Sequence, residues 1–229
     1  MPSLTSVNVA CGGHAGDAQT MKTTIEQAMR WKLAIGAHPG YADRENFGRL
    51  ELKVPLGEIA DSIFEQVRAL GEIAARCGAR VVHVKPHGAL YNQAVRNREL
   101  AQAIANGVAR WRRGVVLVGL AGSSMLEVFR KAGFAVAAEA FADRRYEADG
   151  TLRSRKLEDA LIRDPAEAAR QALGMVERGV VIASDGSKFA VDAQTLCIHG
   201  DTPGAPKIAA AVAKRLREAG VVLCAIAKD

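Results

Sequence analysis

Four of the five histidines in this chain, His14, His38, His87 and His199, stand just after an apolar, strand-like run, each with a charged residue nearby. Asp17 follows His14, Asp43 follows His38, Lys85 precedes His87, and Asp201 follows His199; Asp143 and Arg144 close a further such run. An imidazole beside a carboxylate suits general-base chemistry, because the acid fixes the ring tautomer and raises its basicity. His199 with Asp201, or His14 with Asp17, fits that description and could activate a water molecule. A lysine at the end of a buried strand needs a charged partner or a ligand. Lys85 in HVKPHGALYN is therefore a candidate anion-binding or electrostatic group, and His87 a candidate acid/base or substrate contact. His83 points the same way in an extended chain, and is as readily a wall residue.

Plainer roles compete for several of these residues. Asp17 precedes a helical stripe, so capping a helix is a sufficient role for it, although a cap can still face a site. Cys11 and His14 have a spacing that could suit zinc, but no second Cys/His pair completes such a site. The H-x-x-x-H spacing of His83 and His87 invites a metal reading too; Pro86 and the cation of Lys85 between them argue against it. The loop AHPGYADRENFGR carries His38, Asp43, Arg44 and Arg49, and its arginines could clamp a carboxylate or phosphate. In CIHGDTPGA, Thr202 followed by Pro203 reads as a helix start. Ser123 in GLAGSSM reads as another cap, and no G-x-S-x-G, Walker A or GxGxxG motif is present.

The elements that must position these groups alternate. Strand candidates are residues 4–10, 33–37, 80–86, 115–120, 134–140 and 195–199, and a helical stripe follows nearly every one. Met21, Ile25, Ala28 and Met29 form one stripe. Ile59, Ile63, Val67, Leu70, Ile73 and Cys77 form a second, and Leu100, Ile104, Val108 and Trp111 a third. Asp164-Pro165-Ala166-Glu167 predicts a capped helix start with a returning Glu, and residues 179–193 predict a hairpin turning at Asp185-Gly186. Alternation of this kind predicts an α/β fold with a parallel sheet, whose active site gathers at the carboxyl ends of the strands.

At 229 residues the chain fits a single domain, 1–229, with 179–193 as a hairpin-like insertion. No apolar run is long enough for a membrane span, and the first residues do not read as a signal peptide. Four separated cysteines without CxxC predict reduced thiols and a cytoplasmic protein. The net charge of +6 is spread over helix faces, and aromatics make up only 5%, too few for a base-stacking platform. Attraction of a small anionic substrate explains the charge better than nucleic acid does.

Taken together, NVACGGHAGD, GAHPGYADRENFGR, VKPHGALYN, VGLAGS, FADRRY and CIHGDTPGA resemble the LamB/YcsF family, the A subunit of bacterial ATP-dependent 5-oxoprolinase, in order and over most of the chain. The resemblance implies a distorted seven-stranded β/α barrel of the glycoside hydrolase/deacetylase type, here starting at what would be the second strand. It implies ATP-coupled opening of the 5-oxoproline lactam to L-glutamate together with two other subunits, and leaves room for a homo-oligomer. ATP is the implied cofactor, with a divalent metal such as Mg as a further candidate. On the matching motifs it places His14, Asp17, His38, Lys85, His87, His199 and Asp201 as catalytic candidates. Asn8, Asp43, Arg44, Arg49, Tyr91, Asn92 and Arg144 are the candidate substrate contacts. Two alternatives stand beside it: a metal-dependent carbohydrate deacetylase on a similar barrel, and a binding subunit whose chemistry lies in its partners.

Overall fold

The computed structural model describes residues 1–226. The chain packs as two compact units, one of Thr5–Ala137 and one of Met1–Leu4 with Ala138–Cys224.

In the first unit, β1 (Ser6–Ala10), β2 (Ala34–His38), β3 (Val81–Val84) and β4 (Val116–Leu120) are strands, and β1–β2, β2–β3 and β3–β4 pair in parallel. Helices α1 (Ala18–Arg30), α2 (Leu56–Arg76), α3 (Gly88–Arg96), α4 (Arg98–Trp111) and α5 (Ser124–Lys131) fill the connections. The α/β class with parallel strands is the one the alternating pattern predicts. β3 is shorter than its predicted run 80–86: Lys85 still donates its N–H to the Ala37 carbonyl at 2.9 Å, and Pro86, with no N–H to give, ends the ladder.

The α2 stripe buries Ile59, Ile63, Val67, Leu70 and Ile73, and the α4 stripe buries Leu100, Ile104 and Val108. These two helices approach closely because Gly107 has no side chain; a Cβ there would lie 2.5 Å from the Ala60 carbonyl oxygen. On α1 the buried stripe is Met21, Ile25 and Ala28, whereas Met29, predicted on the same face, is 41% exposed. Asp17 caps this helix: its carboxylate accepts from Thr20 N–H, and the Thr20 hydroxyl receives the Asp17 N–H.

The second unit contains β8 (Thr195–Cys197), paired in parallel with the part of β5 (Ala135–Phe141) that begins at Ala138. It also holds α6 (Pro165–Arg178), α7 (Ala205–Glu218) and the antiparallel pair β6 (Val180–Ile182) and β7 (Lys188–Ala190). That pair is the hairpin predicted within 179–193, with Gly186 at φ +84 in its turn. Asp164 caps α6 by accepting from Ala166 and Glu167 N–H, but Glu167 does not fold back to the cap; its carboxylate pairs with Arg145 at 2.7 Å. Ala168, Ala172, Ile208, Val212 and Leu216 close a core between α6 and α7. Among the described residues no helix is long and apolar enough to cross a membrane.

Candidate active-site constellations

In the first unit, register brings the strand ends together. Ala10 lies opposite His38, and Ala37 opposite Val84, so the loops after β1, β2 and β3 leave from one edge. His14, His38, Lys85 and His87 meet there. The rings of His14 and His87 stack at 3.6 Å between centroids and 8° between planes. His87 Nδ1 lies 3.0 Å from His38 Nε2, and His87 Nε2 lies 2.9 Å from the Phe47 carbonyl oxygen. His38 Nδ1 lies 2.7 Å from the Lys85 carbonyl oxygen.

Two glycines permit the stack. A Cβ on Gly40 would come 2.9 Å from His14 Nδ1, and one on Gly48 would come 2.7 Å from His14 Cβ. Gly40 is held in turn by Gln66 of α2, whose side chain accepts its N–H at 3.0 Å and donates to its carbonyl at 2.8 Å. Gln66 escaped the sequence reading although it left a signal: it is a polar residue on the buried stripe between Ile63 and Val67.

Cationic side chains border this cluster. Lys85 is buried, with its ammonium 5.7 Å from the Tyr91 ring centre. Arg44 donates to the Gly16 carbonyl, and the Arg49 guanidinium lies 4.9 Å over the Phe47 ring. Burial first, then the charges of His87, Arg44 and Arg49, push His14 down to about 3. Burial, Lys85 and His87 hold His38 well below the ordinary imidazole range. These rings are poor places for extra positive charge and good neighbours for a negative one.

Deeper along the same strands, Asn8, Gly36 and His83 share one rung of β1, β2 and β3. The His83 ring crosses over Gly36, where a Cβ would sit 2.0 Å from its Nε2, and reaches Asn8 Oδ1 at 3.0 Å. Burial and then Lys85 push His83 down to about 4, and its Nδ1 is buried without a hydrogen-bond partner.

The second unit holds an acid–histidine pair. Asp143 and His199 each stand two residues beyond the paired Phe141 and Cys197, on one rung past the ends of β5 and β8. Asp143 is fully buried. It accepts the His199 backbone N–H at 2.9 Å, the Thr202 hydroxyl at 2.9 Å and His199 Nδ1 at 3.0 Å. Burial would raise the Asp143 carboxyl, but these hydrogen bonds and the His199 charge bring it below its ordinary value. The carboxylate therefore stays ionised and fixes the proton on Nδ1, which leaves His199 Nε2 as the basic nitrogen.

Several sequence expectations change here. The carboxylate on His199 Nδ1 is that of Asp143, not Asp201; Asp201 forms an ion pair with Arg155 at 3.7 Å. Thr202 does not start a helix but donates to Asp143, and α7 begins at Ala205 after Gly204. Arg144, expected at the substrate, is buried and donates to the Ala160 and Arg153 carbonyls, with burial pushing it down to about 10. Asp43 shapes its own loop by accepting from Asn46 N–H and side chain. Tyr91 is buried and Asn92 exposed on α3. Cys11 donates its thiol to the Val9 carbonyl, with burial pushing it up to about 12, the behaviour of an inert core thiol. Among the described residues no group of three or more His, Cys, Asp or Glu side chains is arranged to hold a metal ion.

Comparison with known proteins adds the following. The model of the LamB/YcsF family matches residues 1–229. The A subunit of the 5-oxoprolinase of Chloroflexus aggregans is 47% identical over 223 residues, covering 97% of this chain and 88% of that protein. Its counterpart of the same name in Methylococcus capsulatus is 49% identical over 214 residues, covering 93% and 81%. The crystal structure of the lactam utilization protein from Thermus thermophilus superposes with a TM-score of 0.91 at 43% identity, covering 98% of this chain and 90% of that one.

Proposed function

The chain belongs to the LamB/YcsF family, and we propose that it acts in 5-oxoproline metabolism as a subunit of an ATP-dependent 5-oxoprolinase, working with two other subunits. The reaction opens the lactam of 5-oxoproline to L-glutamate as ATP goes to ADP and phosphate. The names of its relatives support the substrate, and the Asp143–His199 pair is the observation that carries the chemistry.

A lactam carbonyl is a weak electrophile, and phosphorylation of its oxygen by ATP makes the ring carbon open to water. His199 Nε2, the basic nitrogen in the tautomer that Asp143 fixes through Nδ1–H, accepts a proton from that water as its oxygen bonds to carbon. The ring C–N bond then breaks, the imidazolium returns the proton to the departing nitrogen, and a second water hydrolyses the acyl phosphate left at that carbon to L-glutamate and phosphate. The positive constellation of Arg44, Arg49 and Lys85 suits an anion, either the carboxylate of 5-oxoproline or a phosphate group. A divalent metal such as Mg would accompany ATP. The deacetylase alternative is less well supported, because His38 and His87 turn facing nitrogens on each other instead of converging on an ion.

The test is turnover of 5-oxoproline and ATP by the chain reconstituted with its two partner subunits. Asp143→Asn and His199→Gln should each lower kcat by about 10²–10⁴-fold, the range of a lost general base. Unchanged turnover in both would remove His199 from the chemistry and favour a binding subunit whose partners do the work.

A further inference from the structure

The contacts of His38 and His87 do not balance with two neutral rings. Carbonyl oxygens only accept hydrogen bonds. The Lys85 carbonyl therefore requires a proton on His38 Nδ1, and the Phe47 carbonyl requires one on His87 Nε2. A neutral imidazole carries a single N–H, so both protons are now spent. The remaining nitrogens, His38 Nε2 and His87 Nδ1, would face each other at 3.0 Å lone pair to lone pair. One additional proton turns that contact into a hydrogen bond, and the pair then carries a single positive charge.

Neither carbonyl is free to turn away. Lys85 is held in the sheet ladder by its own N–H on the Ala37 carbonyl. Phe47 lies in a tight turn at φ +55, followed by Gly48 at φ +64, whose N–H is held by the Asp43 carbonyl at 2.7 Å. His87 is anchored as well, with its N–H on the Pro39 carbonyl at 2.8 Å.

Among the groups packed around the pair within this unit, Lys85 and His14 oppose extra charge on His38. His14, from the loop after β1, stacks on His87. Arg44 and Arg49 come from the loop after β2, Lys85 and His83 from β3 and its end, and Tyr91 from α3. Geometry calls for a proton that these neighbours disfavour, and a negative ligand would reverse the balance.

We propose that His38 and His87 share one proton and that they take it up together with an anion, a carboxylate or a phosphate, bound beside Arg44, Arg49 and Lys85. The anion half of this inference rests on the reading of that constellation given above; the shared proton rests on the hydrogen-bond geometry alone. Anion affinity at this site then rises as pH falls toward the pair's titration, because binding and protonation are thermodynamically linked.

The experiment is nitrogen NMR of the intact chain carrying 15N-histidine, titrated from pH 5 to 9 alone, with 5-oxoproline, and with inorganic phosphate. His38 Nε2 and His87 Nδ1 should move together through a single step, and saturating anion should raise its midpoint by about 1 unit or more, the effect of an opposite charge within a few ångström. His87→Gln keeps a donor for the Phe47 carbonyl, and His38→Asn keeps one for the Lys85 carbonyl. Either variant should abolish the joint step in the surviving ring. Two rings that stay neutral throughout, or titrate independently, overturn the shared proton. A joint step that neither anion shifts overturns the coupling. A step raised by phosphate and not by 5-oxoproline upholds the inference and refutes the carboxylate of 5-oxoproline as the occupant.

Discussion

Acid should destabilise the first unit through His83, by an amount the structure sets. In the unfolded chain this imidazole titrates near 6.5; in the fold, burial and then Lys85 hold it to about 4. A second proton would sit on Nδ1, which is buried with no acceptor. Below 6.5 the unfolded state binds a proton that the folded state refuses, so stability is lost as pH falls from about 6.5 to about 4 and is unaffected by this group above that window. The gap between the two values corresponds to about 3 kcal/mol in full, of which roughly 2 to 3 kcal/mol is lost by pH 4.5. His83→Gln removes the titration while keeping an amide donor for Asn8 Oδ1. Urea unfolding at pH 7.5 and 4.5, followed by the fluorescence of Trp31 and Trp111 in the same unit, should show the unsubstituted chain losing about 2 to 3 kcal/mol more than the variant. His14 and His38 shift in the same direction in both proteins and cancel from the comparison. Equal losses in the two proteins would refute the argument.

Two further substitutions test how the first constellation is held. Gly36→Ala would place a Cβ 2.0 Å from His83 Nε2, so the ring must leave Asn8; the expected loss is about 1–3 kcal/mol, and an unchanged Tm would show that the ring has room to move. Gln66→Leu keeps the bulk of the side chain but strips both hydrogen bonds from Gly40. It should cost about 1–3 kcal/mol for each buried group left unpaired and speed amide exchange at Gly40; unaltered exchange there would mean that the loop is held by something else.

Much of this protein was legible one segment at a time. Short apolar runs and period-3.6 stripes placed β1, β2, β4 and the helices α2 and α4, and Asp164-Pro165 marked the start of α6. The position of His38 at the end of a strand, and of His14, His87 and His199 beyond one, followed from the same patterns, because strand ends and turn residues are local features. The partners of those histidines are a different kind of fact. Asp143 and His199 are 56 residues apart, and His38 and His87 are 49 apart. They meet because β5 pairs with β8, and β2 with β3, in one register, and register is a property of two segments at once. Sequence reasoning reached for Asp201, the carboxylate nearest His199 along the chain, while tertiary structure put Asp143 on its Nδ1 and recruited Thr202, read as a helix cap, to hold that carboxylate. Sequence alone determined which chemistry-bearing residues this protein carries and that strands present most of them at their ends. Only the packing of distant strands decided which nitrogen faces which oxygen, and so where each proton resides.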